Sequence, residues 1–219
     1  MDHWLGDIWT QLHTADGLRH TLQTGGLGLM AFIIFAETGL LAGFFLPGDS
    51  LLVTAGVLTV ANGDRPAYFQ TTETILVLIL AAILGNQTGL WLGKKWGKRI
   101  ENRPDGWFYR RKHLLAARQY FQSKGGLALL LARFAPILRT FVPFVAGMGQ
   151  MPTRIFFFWN VLGAILWISS LIGIGHLIGG TTLADSLHKV IIIVVAISFI
   201  PVVWQAAKSY FTAAPAAKT

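Results

Sequence analysis

The chain contains no cysteine in its 219 residues. Disulfides and thiolate metal sites are therefore excluded, and the redox compartment leaves no mark on the sequence. Charge is scarce, at 13% of residues, and the acidic sign is the scarcer: ten Asp and Glu stand against 18 Lys and Arg. There is no His-Glu-x-x-His, Walker loop, nucleophile elbow or phosphatase motif. With no nucleophile or metal-ligand constellation, the expectation is a protein that is not an enzyme and uses no cofactor or metal. A cleaved signal is not expected either. Asp2 and Asp7 stand where a signal carries positive charge, and no small-residue cleavage pattern follows.

What the chain has in quantity is apolar surface. Hydrophobic residues make up 53% and mean hydropathy is +0.56, values that suit an integral membrane protein. The length accommodates about five or six hydrophobic elements, at roughly 20 residues per crossing. The net charge of +8 does not point to nucleic acid, because ten of the 18 basic residues lie between Lys94 and Lys124, beside apolar spans. Basic residues so placed set topology and meet anionic lipid headgroups. Near the N-terminus Trp4, Leu5, Ile8, Trp9 and Leu12 recur at helical spacing, which predicts an amphipathic helix lying in the interface.

The apolar runs are unequal, and that inequality suggests the architecture. Leu27 to Leu46 is interrupted by Glu37 and ends in Phe45-Leu46-Pro47-Gly48-Asp49-Ser50. Leu51 to Ala61 follows, a helix of about 16 Å in a hydrocarbon layer of about 30 Å. Pro47-Gly48 is a turn signal and Asp49 or Ser50 a good N-cap, so the pair predicts a re-entrant hairpin. Ile75 to Leu92 is a full crossing with Gly85, Gly89 and Gly93 along one face, a stripe that admits a close neighbour. Within Lys94 to Lys124, Leu114, Ala117 and Phe121 share a face and predict a surface helix. The next region is broken again, by Pro136 and Pro143, and neither arm is long enough to span. Ile155 to Gly179 and Val190 to Ala207 are further crossings.

The predicted fold class is thus an all-α polytopic membrane protein built as an inverted repeat. Each unit is a re-entrant hairpin plus a transmembrane helix, a plan associated with transporters that bind near the midplane. The parts are an N-terminal interfacial segment (1–24), a membrane domain (25–180) with hairpins at 27–61 and 127–149, and a C-terminal helix and tail (181–219). If the Lys94–Lys124 loop is cytoplasmic, Arg154, Lys208 and Lys218 join it and only Arg19, Arg65 and Lys189 lie opposite. That bias puts the C-terminus inside.

Four charged residues fall within apolar segments. Glu37 must be protonated, ion-paired or facing water, and as a buried carboxyl it is a proton-coupling or arginine-pairing candidate. Asp49 reads as a helix cap, or as a second such carboxyl if the hairpin tip reaches the midplane. Arg133 and Arg139 would lie about 120° apart on one helix, but Pro136 frees them to converge from different arms. Permanently charged guanidiniums suit bidentate phosphate binding, with snorkelling to the interface as the bland alternative. Pro47, Gly48, Pro136 and Pro143 are the hairpin-shaping residues. His176 reads as a packing histidine or a proton relay, and Trp96 and Trp204 as interface anchors.

These stretches resemble the bacterial DedA family. The resemblance rests on Glu37-Thr38-Gly39-Leu40, Phe45-Leu46-Pro47-Gly48-Asp49-Ser50-Leu51-Leu52, Gly85…Gly93…Gly97, and Arg133-Phe134-x-Pro136-x-x-Arg139-Thr140-Phe141-x-Pro143-Phe144-x-Ala146-Gly147-Met148. Asn160-x-x-Gly163-x-x-x-Trp167 completes it. It implies a fold shared with eukaryotic lipid scramblases of the VTT (SNARE-associated) domain class. It also implies inner-membrane roles in envelope integrity, proton-motive-force-dependent transport and the return of undecaprenyl phosphate. By motif match Glu37, Asp49, Arg133 and Arg139 are the functional acids and arginines. Where the family often has Gly-Asp followed by a Tyr, this chain has Gly85-Asn86 and Leu90, which removes any proton role for that Asp here.

The functional expectation is a proton-coupled flippase or scramblase for undecaprenyl phosphate or a related phospholipid. Its partners are anionic or polyprenyl-phosphate lipid and the surrounding membrane lipids, with no nucleic acid and an oligomer left open. The alternatives are a proton- or cation-coupled antiporter of small solutes or drugs, and a scaffold that stabilises envelope complexes.

Overall fold

The computed structural model describes residues 15–41, 43, 46, 48–61, 67–101, 126–134 and 136–181, and among these every regular element is helical. The helices are α1 (Ala15–Gly39), α2 (Gly48–Leu58), α3 (Thr71–Glu101), α4 (Leu127–Ala132), α5 (Pro136–Met148) and α6 (Thr153–Gly179). The amphipathic helix expected over residues 4–12, the surface helix around 114–121 and the crossing from Val190 lie outside the described residues, as do Pro47 and Trp204.

Length and apolarity set α3 and α6 apart. At 31 and 27 residues they rise about 46 and 40 Å, and both are apolar enough to cross a membrane. Leu76, Leu80 and Leu84 form an exposed row on α3, and α6 exposes Phe158 and Leu177. Such rows suit lipid contact. The other helices are shorter. The 11 residues of α2 are all buried, which explains an apolar sequence with no polar face. α1 bends at Gly26, whose φ of 62° a residue with a Cβ rarely adopts. Pro136 opens α5, where its missing N–H costs nothing, and α5 continues through Pro143.

The two long helices run antiparallel. Lys94 Nζ of α3 donates to Thr153 Oγ1 at the start of α6, at 2.7 Å. At the opposite end Thr71 Oγ1 of α3 lies 3.5 Å from His176 Nδ1. α2 lies along the second half of α6: Asp49 meets Trp167, and Gly56 meets Gly175 backbone to backbone. α5 lies along the second half of α3 in the same manner, with Pro143 against Gly89 and Gly147 against Gly93. The Gly85–Gly89–Gly93 stripe therefore receives two helices, because Gly85 also packs on Thr38 and Gly39 of α1.

One core, around Ile34, Leu52, Leu78, Trp167 and Ile172, joins α1, α2, α3 and α6. A smaller one, around Leu90, Leu129, Ala146 and Phe156, joins α3 to α6. The glycine crossings leave no slack. A Cβ on Gly56 would stand 2.3 Å from the Ile172 carbonyl, so Gly56→Leu forces α2 off α6. Overpacking of this kind costs about 1–3 kcal/mol, and a lowered Tm in detergent is the expected result. An unchanged Tm would mean the crossing is not tightly held.

Candidate functional site

Four helices deliver the charged residues to one buried place. Glu37 comes from the last turn of α1 and Asp49 from the first turn of α2, where an acid also complements the helix dipole. Arg133 is the C-cap of α4, and Arg139 sits in the first turn of α5. All four are at most 6% exposed. The break between α4 and α5 brings the arginines together: both guanidiniums lie over the Trp167 ring, at 5.6 Å for Arg133 and 4.7 Å for Arg139. A desolvated cation over Trp contributes about 2 kcal/mol.

The two arginines are neutralised differently. Arg139 takes both acids, with Nη2 on Glu37 Oε1 and Nη1 on Asp49 Oδ1. Trp167 Nε1 donates to the same Asp49 oxygen at 3.0 Å. Gly48 makes this possible, because a Cβ there would lie 1.6 Å from Glu37 Oε2. Arg133 forms no ion pair among the described residues. Its Nη1 donates to the Asn160 carbonyl at 3.1 Å and to Asn160 Oδ1 at 2.8 Å. Its Nε and Nη2 have no partner among the described residues.

Amides, not carboxylates, surround Arg133. Asn160 Nδ2 donates to the Ile83 carbonyl at 3.0 Å, which pins α6 to α3. The oxygen and nitrogen of the Asn86 amide can be placed either way round. Placed one way, its nitrogen donates to Asn160 Oδ1 at 3.0 Å. Turned over, it donates to the Thr38 carbonyl at 3.0 Å and accepts from Arg133 Nη1 at 2.9 Å, which satisfies more of the buried groups. A small cavity touches both arginines, Asn86 and Asn160, and has apolar walls that include Val142, Phe156 and Trp159. As it stands it has room for about one water molecule.

Of the sequence candidates, Glu37, Asp49, Arg133 and Arg139 come together here, with Gly48 touching Glu37 and Pro143 lining the cavity. His176 does not join them. Its Nδ1 lies 2.8 Å from Thr59 Oγ1, at the C-terminal end of α6. Trp96 is exposed and edge-on to Phe144. Sequence reasoning gave Asn86, Asn160 and Trp167 no role at the site. A signal was present for two of them: Asn160 and Trp167 fall on one buried helical face of α6 with Gly163 and Ala164, and an amide on the core face of a spanning helix needs a partner.

Comparison with known proteins decides the family. The VTT domain profile matches residues 46–177. The chain is 36% identical over 192 residues to Protein DedA of Escherichia coli (strain K12), covering 87% of this chain and 86% of that protein. The chain belongs to the DedA family. Inner membrane protein YqjA of the same organism is 35% identical over 184 residues, 80% of this chain and 76% of that protein. A membrane protein of Mycobacterium tuberculosis (strain H37Rv) is 32% identical over 179 residues, 81% and 77% of the two chains. No solved structure matches. This DedA-family chain is accordingly a membrane protein. Its VTT match spans α2 to α6, with Asp49, Arg133 and Arg139, while Glu37 on α1 stands just before it.

Proposed function

We propose that this protein is a proton-motive-force-linked flippase or scramblase of the bacterial inner membrane, acting on undecaprenyl phosphate or a related phospholipid. The observation that carries the reading is a pair of buried arginines stacked on one indole, only one of which is held by acids. With both acids ionised the four groups sum to zero, which suits the empty state of a site inside a bilayer. A phosphate group entering this set adds negative charge. Proton uptake by Glu37 or Asp49 restores the balance, and the acid so neutralised releases Arg139 to the phosphate.

The architecture is read as an inverted repeat of re-entrant hairpins. Three features support this. The short helices α2 and α5 each accompany only half of a long helix, and the long helices are antiparallel. Equivalent contacts also recur in the two units. Gly93 on α3 meets Gly147 on α5, and Gly175 on α6 meets Gly56 on α2, the two long-helix glycines lying at the same offset from their helix starts at Thr71 and Thr153. The multi-pass topology with a cytoplasmic C-terminus rests on the basic bias of the Lys94–Lys124 loop.

The test is translocation in proteoliposomes, with a phosphorylated polyprenyl lipid followed from one leaflet to the other. Arg133→Ala and Arg139→Ala are each expected to slow it by roughly ten-fold or more, an effect of about 1.4 kcal/mol on the barrier. Elution as folded protein is checked in parallel. Retention of the wild-type rate in both would defeat the reading. A proton- or cation-coupled antiporter of small solutes or drugs is the second reading, favoured by a cavity of single-water size. Solute or sodium flux lost in Glu37→Gln, and indifferent to polyprenyl phosphate, would select it.

A further inference from the structure

The two arginines are not equivalent, and the difference assigns them an order of action. Both terminal nitrogens of Arg139 are occupied, one by each acid. On Arg133 only Nη1 is used, and the Asn160 contacts fix the guanidinium plane. What remains is the Nε–Nη2 edge, the edge that grips an oxyanion with two parallel hydrogen bonds. That edge belongs to a side chain only 4% exposed that lines the cavity. A buried cationic edge with no protein acceptor is costly unless a ligand supplies one.

The cavity's outer wall gives the route. Trp159 lines the cavity and is itself only half-buried. It is braced edge-on by Phe158 at 5.6 Å, and Phe158 is 63% exposed on the apolar face of α6. The indole lies against Gly126, where a Cβ would come within 1.7 Å of the ring. An aromatic resting on a bare backbone is displaced without unpicking a polar network, since α4 holds it by contact alone.

Resting on the transport reading above, we infer that Arg133 is the receiving cation for a phosphate monoester, admitted sideways past Trp159 between α4 and α6. Arg139 engages second, when an acid lets go. The apolar walls favour a phosphate carried on a lipid, although free phosphate has the same chemistry. In this chain Asn86 leaves Arg133 without an acid partner where the family often has Asp; a carboxylate there would lie about where the amide oxygen is, 2.9 Å from Arg133 Nη1.

The experiment uses the full chain in detergent with two probes, short-chain phosphatidic acid and inorganic phosphate, and measures affinity and association rate. The wild type is expected to bind the lipid phosphate more tightly. Asn86→Asp, which gives Arg133 an acid partner without changing side-chain volume, lowers that affinity by roughly five-fold or more, about 1 kcal/mol. Its Tm is read alongside, because one carboxylate oxygen would replace the amide nitrogen that faces the Thr38 carbonyl at 3.0 Å, and lost binding must be told from lost fold. Trp159→Ala speeds association several-fold. If Asn86→Asp binds as wild type does, Arg133 is not the receptor. If inorganic phosphate binds as tightly as the lipid and Trp159→Ala changes no rate, the lateral route is wrong. The two levels separate in the translocation assay. Binding effects as stated without any lipid translocation overturn the transport reading and leave the receptor. Translocation that ignores both substitutions overturns the receptor and leaves transport.

Discussion

Arg139→Ala is expected to be the most damaging single substitution in the chain. It strands Glu37 and Asp49 in the interior with their shared counter-ion gone, and each is at most 6% exposed. Removing one member of a buried ion pair costs about 3–5 kcal/mol, because the partner keeps its desolvation penalty and loses its compensation. Here two partners lose it, so the upper end is expected, read as a fall in Tm or as failure to elute as a monodisperse species. The same logic predicts a rescue. Glu37→Gln/Asp49→Asn/Arg139→Gln removes all three charges, keeps the shapes at 37 and 49 and leaves a shorter polar side chain at 139, and should recover most of the lost stability. On the proposed function translocation should not recover with it, since the groups assigned to proton uptake and one of those assigned to the phosphate are gone. A triple variant no more stable than Arg139→Ala would mean that packing lost around Trp167, not stranded charge, sets the cost. If instead the triple variant complements fully in cells, the scaffold reading replaces transport.

How far the sequence reached depends on which physics each feature obeys. Long and short helices are local in origin. Apolar runs mark them out, so the runs from Ile75 and Ile155 lie inside α3 and α6. Residues 15–24, read with the separate interfacial segment, instead run into α1, and the expected division survives only as the kink at Gly26. Pro143 bends no boundary either, since α5 passes through it while the ring packs on Gly89.

The candidate site was legible as a set and not as a set of pairs. A carboxylate or guanidinium in an apolar run stands out at once, which identifies Glu37, Asp49, Arg133 and Arg139. Nothing local says that both acids go to Arg139. That follows from where the α1 and α2 ends meet the first turn of α5, and those meetings are set by backbone-on-backbone crossings such as Gly39 on Gly85 and Gly93 on Phe144. Arg133, left to the amides of Asn160 and Asn86, is therefore a tertiary result. Trp167, quoted in the motif that carries the resemblance, drew no role at the site because an indole in an apolar helix is common at lipid boundaries, and only the fold turns its ring toward two cations.

The absence of native cysteine makes a decisive test of the proposed transport cycle available. α6 is tied at both ends: Thr153 to Lys94 of α3 at one, and His176 to Thr59 just after α2, with Thr71 of α3 nearby, at the other. If the units rock about the central charges, each tie must open in turn, because alternating access exposes the site to one face at a time. Cysteine pairs at Lys94/Thr153 and at Thr59/His176 would be the only thiols present. A short thiol-reactive cross-linker placed on either pair is expected to slow translocation by roughly ten-fold or more, through a barrier raised by about 1.4 kcal/mol. Cleaving the linker with reductant should restore the rate, and each single-cysteine variant should ignore the reagent. A static groove behaves differently, since a headgroup sliding along fixed walls does not need the helix ends to part. Wild-type rates with both ties closed would therefore discard the rocking cycle and leave a permanently open path beside Arg133 as the route to explain.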